Sequence, residues 1–129
     1  MAKANQFEDL IVWQKAMILA KEIYGLTTAT PFYNDYGLRS QMQSASVSIM
    51  SNIAEDFERG SKREFHQFLK IAKGSCGELR SQLYVSVNVG YIDQTQIEMA
   101  LGNTHEVSRM LAALITSLDT KKKRKPPTE

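Results

Sequence analysis

Cysteine is nearly absent from this 129-residue chain: Cys76 stands alone, so no internal disulfide can form. Histidine is almost as scarce, with only His66 and His105, and neither stands with Cys76 at a spacing that metal ligation uses. No metal or other cofactor is expected. No window approaches the roughly 18 consecutive apolar residues of a membrane span. The opening MAKANQFEDLIVWQKAMILAKEIY has no basic segment leading into a long apolar run. These features predict a cytoplasmic protein with no membrane partner. Proline occurs three times, at Pro31, Pro126 and Pro127, which leaves long stretches free to be helical.

What is present is ordinary for one globular domain, with 43% hydrophobic and 23% charged residues. The net charge of +2 is unevenly spread. Of 16 basic residues, five are Lys121, Lys122, Lys123, Arg124 and Lys125; of 14 acidic ones, only Glu129 lies beyond them. Residues 1–120 therefore sum to −2 and the last nine to +4. The reading is a folded domain over residues 1–120 and a basic, disordered tail over 121–129.

Apolar spacing of three and four divides the domain into four helices. The first runs over residues 7–28, with one row at Leu10, Trp13, Met17, Ala20 and Tyr24 and a second at Val12, Ala16, Leu19 and Ile23. Pro31 and its turn-forming neighbours break it, and Asp35 is placed to cap the next. The second continues to Arg59 through Leu38, Met42, Ala45, Ile49, Ile53 and Phe57, and Gly60 ends it. Ser61 and Glu64 have the spacing of a capping box for the third, whose stripe is Phe65, Phe68, Leu69, Ala72, Cys76, Leu79 and Leu83. The valines of YVSVNVGY would suit a strand, yet the helical spacing reaches them unbroken, so they are read as helix up to Gly90. Asp93 with Gln96 opens the fourth, which carries Ile97, Leu101, Thr104, Ser108, Leu111, Ile115 and Leu118. Four such helices with short connections predict an all-α, antiparallel up-down-up-down bundle. Ile71, Val85, Val89, Met110 and Leu114 exceed what one core can bury and predict a second interface.

Small residues mark mid-length of two helices: Ser44, Ala45, Ser48 and Ser51 on the second, and Ala72, Gly74, Ser75, Cys76 and Gly77 on the third. Interior glycines cost about 1 kcal/mol each against alanine, so a close helix–helix approach is the expected compensation. Asn52, Glu55, Arg59 and Glu78 are either solvated or members of a polar network between helices that fixes their register.

The segments FEDLIVWQKA, YGLRSQMQSASVSIMSNIAE, SKREFHQFLKIAKGSCGEL and QLYVSVNVGYI, in this order from residue 7 to 118, resemble the bacterial 23S rRNA intervening-sequence proteins, also called the S23 ribosomal protein family. The resemblance implies a four-helix bundle that assembles into a ring-like homopentamer, with no established catalytic activity. A related group, the accessory variability determinants of diversity-generating retroelements, implies an alternative in which the partners are a reverse transcriptase and its template RNA. The family's NIAE falls on Asn52, Ile53, Ala54 and Glu55, its arginine on Arg59, and its GS..EL on Gly74, Ser75, Glu78 and Leu79. The family's glycines around that glutamate and arginine are replaced here by Asp56 and Glu58, which place two carboxylates near Arg59.

The residues do not form a catalytic pattern. Cys76 would need a positioned base, and His66 is ten residues away, nearly three helical turns. Glu64 and His66 are two apart, not the three of a bundle metal site. Cationic clusters are the stronger signal. Lys62, Arg63, Lys70 and Lys73 gather at the start of the third helix, and the tail adds Lys121, Lys122, Lys123, Arg124 and Lys125. The expectation is a non-catalytic homo-oligomer that binds RNA or DNA through these residues, with a protein-only scaffold as the remaining alternative.

Overall fold

A computed structural model describes residues 4–60 and 66–123, with side chains placed through residue 118. Among the described residues there are four α-helices: α1 (Ile11–Thr27), α2 (Tyr36–Arg59), α3 (Gln67–Asn88) and α4 (Gln94–Lys123). Consecutive helices pack against each other and α1 packs against α4, without diagonal contacts, which is the square antiparallel bundle that the spacing predicts.

The apolar stripes meet in one core. Val12, Ala16, Leu19 and Ile23 face Met42, Ala45, Ile49 and Ile53, with Leu69, Ala72, Cys76, Leu79 and Leu83 from α3 and Ile97, Ala100, Val107 and Leu111 from α4. Of the two rows on α1, the one beginning at Val12 is the buried one; Met17 and Tyr24 of the other row remain 43% and 42% exposed. Three buried hydroxyls are satisfied within their own helices. Thr27, Ser86 and Thr104 each donate to the carbonyl four residues earlier, at 2.7–2.8 Å.

Helix ends follow the chemistry of their caps. Asp35 Oδ1 accepts from the Leu38 amide at 3.1 Å, and Gly60 stops α2 at φ 82°. At the end of α3, Gly90 has φ 84°, its amide donates to Val87 and the Tyr91 amide to Ser86. This left-handed glycine turn satisfies the last carbonyls of the valine-rich segment, which is helical through Asn88 with Val89 as its C-cap. Asp93 and Gln96 exchange side-chain and backbone bonds at 2.8 Å in both directions.

Expected features differ at three points, one of them the start of the third helix, where His66 is left-handed (φ 43°) and α3 begins only at Gln67. The first helix does not run from residue 7: Phe7–Asp9 is a 3-10 turn, and Leu10 is extended (φ −73°, ψ 126°) before α1 begins. Phe7 folds back edge-on to Trp13, with ring centroids 5.3 Å apart, and Gln14 Nε2 holds the Glu8 carbonyl at 2.9 Å, so local contacts take over from helix continuation. The small-residue argument also divides. Ser48 Oγ and Ser75 Oγ do lie 3.0 Å apart across α2 and α3. A Cβ on Gly74 or Gly77, however, would meet nothing within 4 Å, so these glycines do not create the approach. The Ser61–Glu64 capping box lies outside the described residues.

Candidate polar and basic surfaces

The residues expected to join helices two and three are arranged in separate pairs. Asn52 Nδ2 donates to the Ser48 carbonyl at 2.8 Å and to Ser48 Oγ at 3.1 Å, and Ser48 in turn meets Ser75. That chain of three bonds is a polar link between α2 and α3. Glu55 and Arg59 pair with each other at 2.8 Å, one turn apart and about half exposed. The Arg59 guanidinium also lies over the Phe68 ring, 4.8 Å from its centroid, which brings the end of α2 against α3. Glu78 is exposed and accepts from Gln82 Nε2 at 3.5 Å, while Gln82 Oε1 is buried without a partner. The structure thus does not gather Asn52, Glu55, Arg59 and Glu78 at one point.

Asp56 does not add a solvated charge near Arg59. It is buried, with Oδ2 3.4 Å from His66 Nδ1, while its Oδ1 has no hydrogen-bond partner. His66 itself has φ 43°, a left-handed conformation in which histidine is one of the few enriched non-glycine residues. Sequence spacing could not show this pair, because it joins the last turns of α2 to the residue before α3, ten positions on.

A second unforeseen link lies at the opposite end. Tyr91 Oη donates to Asp35 Oδ2 at 3.0 Å, tying the α3–α4 turn to the cap of α2, and the Tyr91 ring lies 4.9 Å from that of the fully buried Phe32. The bond to Asp35 holds the Tyr91 phenol above its ordinary pKa.

Cys76 is fully buried, and burial pushes its thiol up to about 11 despite the opposing charges of Arg80 and Lys73. Such a group is a packing element with little thiolate near neutrality. An open recess of about 380 Å³ is lined by Tyr24, Ser40, Gln43, Ser44, Val47 and Ser48, which offer hydroxyl and amide groups but no carboxylate, imidazole or cation. Among the described residues no three metal-ligating side chains converge, and no helix is long and apolar enough to cross a membrane.

Lys70 and Lys73 are exposed on the first turns of α3. Lys121, Lys122 and Lys123 occupy the last turn of α4, so the antiparallel packing of α3 and α4 puts both groups at the same end of the bundle. Lys62, Arg63, Arg124 and Lys125 lie outside the described residues.

These features define a small antiparallel helical bundle whose core is filled by apolar side chains, with a buried Asp56–His66 pair at one end. Residues 8–113 match the family described as 23S rRNA-intervening sequence protein, and the chain belongs to that family. A crystal structure at 1.70 Å resolution of a protein with unknown function from the S23 ribosomal protein family of Bacteroides thetaiotaomicron VPI-5482 is similar in fold. It shares 21% sequence identity with a TM-score of 0.74, over 82% of this chain and 96% of that one. No curated protein matches the chain.

Proposed function

We propose that this chain is a non-catalytic, homopentameric cytoplasmic bundle that binds RNA or DNA through basic surfaces. The observation that carries the nucleic-acid part is the placement of Lys70 and Lys73 at the end of the bundle where Lys121, Lys122 and Lys123 close α4. Neither Lys70 nor Lys73 has a carboxylate partner among the described residues, where the ion pairs are Lys15–Glu106, Arg59–Glu55 and Asp56–His66. Cations that lack a paired carboxylate release counterions from phosphate on binding. The family's description, which ties it to 23S rRNA intervening sequences, supports the same reading. In a pentamer each basic end would be repeated five times, raising avidity without improving any single contact.

Filter binding of a generic single-stranded RNA across a salt series tests this reading, comparing the full chain with one truncated after Thr120. If all five tail cations of one chain meet phosphate, truncation should make the log–log salt slope shallower by about 3.5, at roughly 0.7 per contact. An unchanged slope assigns the tail no role, and the lack of any affinity in the full chain would leave a protein-only scaffold.

A further inference from the structure

The flank of α3 that faces α4 can be identified from the contacts of the other flank. Ser75 meets Ser48, Ser86 Oγ donates to Met42 Sδ at 3.3 Å, and Phe68 lies beneath Arg59; all three look toward α2. The opposite flank carries Lys73, Gly77, Arg80 and Tyr84, spaced as one helical stripe. On α4, Asn103 donates to Glu22 at 2.8 Å and Glu106 pairs with Lys15 at 3.3 Å, which turns that flank toward α1. Away from the Asn103 contact runs the row Glu98, His105 and Arg109, with Arg109 also one turn from Glu106. Counting back equally from the turn between Asn88 and Gln94 sets Lys73 level with Arg109 and Arg80 level with Gly102.

The seam between these flanks carries four cations against one carboxylate, Glu98. Lys70, Lys73 and Arg109 are exposed, Arg80 is half-buried, and none of the four has a carboxylate partner among the described residues. Glu106 is paired with Lys15, whereas Glu98, level with Tyr84, and Glu78 bond only the neutral side chains of Gln94 and Gln82 and keep their charge. A Cβ on Gly77 or Gly102 would meet nothing within 4 Å, so bare helix backbone lies between the cations. Tyr84 stands at the end of the stripe, 52% exposed.

We infer that the α3–α4 seam binds single-stranded nucleic acid, with phosphates on Lys70, Lys73, Arg80 and Arg109 and one base stacked on the Tyr84 ring. This deepens, and rests on, the nucleic-acid reading above. A cationic track ending in an aromatic face is the arrangement by which proteins hold single strands without reading their sequence. The ten residues from Lys70 to Arg80 span about 15 Å of helix, at roughly 1.5 Å per residue. A duplex would offer phosphates to this track but no free base face to Tyr84.

The test is fluorescence anisotropy of a labelled 20-nucleotide uridine strand with the full chain, R80Q/R109Q, Y84A and the control K21Q/R39Q. The control removes the same charge from the α1–α2 side, and circular dichroism checks that each variant is folded. R80Q/R109Q should make the salt slope shallower by about 1.4 for each chain engaged, at roughly 0.7 per contact, while the control leaves it unchanged. Y84A should weaken affinity about 5- to 150-fold, the range for losing one stacking platform. R80K/R109K, which keeps the charge, should retain the slope. Equal slopes for R80Q/R109Q and the control, or wild-type affinity in Y84A, would overturn the seam while leaving nucleic-acid binding intact. Displacement of the strand by poly-L-glutamate at equal charge would mean that the seam takes acidic polypeptide instead, which also overturns it. A full chain that does not bind the strand at low salt removes the nucleic-acid reading itself.

Discussion

Asn52 shows how a residue singled out by sequence acquires its role from one neighbour. Its amide reaches back one turn to Ser48, whose hydroxyl then crosses to Ser75 on α3. Because the link passes through Ser48, Asn52→Ala and Ser75→Ala should not be additive. Urea melts of both single variants and the double should give a coupling of about 0.5–1.5 kcal/mol, the net worth of one such hydrogen bond, and additive effects would mean that the link contributes nothing. Cys76 makes a prediction of the opposite kind. Its folded-state pKa of about 11 lies above the ordinary 9.0, so the folded chain favours the protonated thiol. The corresponding stabilisation is complete below pH 9 and is lost as pH rises from 9 through about 11. At pH 8, iodoacetamide should modify Cys76 slowly in the native protein and rapidly in urea; equal rates would contradict its burial.

Helices were the most legible part of the sequence, because spacing and caps agree along most of the chain. Asp35, Gly60, Gly90 and the Asp93–Gln96 pair all act where their chemistry places them. The valine-rich end of α3 is the clearest case of long-range pattern overriding local β-propensity. What spacing could not show was contact between distant elements. The Asp56–His66 pair joins the end of α2 to the residue before α3, and the Tyr91–Asp35 bond joins two connections 56 residues apart. Glycine was legible as a stop but misleading as a packing device. With open space around the Cβ position of Gly74 in α3, Gly74→Ala should stabilise an isolated chain by about 0.4–1 kcal/mol through helix propensity and a less flexible unfolded state. A loss of stability in thermal melts would mean that something outside the chain occupies that space.

The bundle buries one core yet leaves large apolar side chains outside it. Ile11, Ile18, Tyr36, Val85, Val89 and Met99 are each 46–70% exposed, and Ile71 is 44% exposed. Of the surplus apolar residues noted from spacing, Met110 and Leu114 pack partly against the core, whereas Ile71, Val85 and Val89 do not. Exposed apolar groups on both α1 and α3 fit association in which one helix of a copy meets a different helix of the next, a head-to-tail contact that makes a ring when its rotation closes. The charge is divided in a compatible way, with unpaired cations on the α3–α4 side and the exposed ion pair Glu55–Arg59 on α2. Assembly through the apolar faces would leave the basic seam and tail open and repeated. Multi-angle light scattering of the purified full chain at tens of micromolar measures this directly. The account predicts a mass of five times the 14.6 kDa chain, and a monomer mass would contradict it.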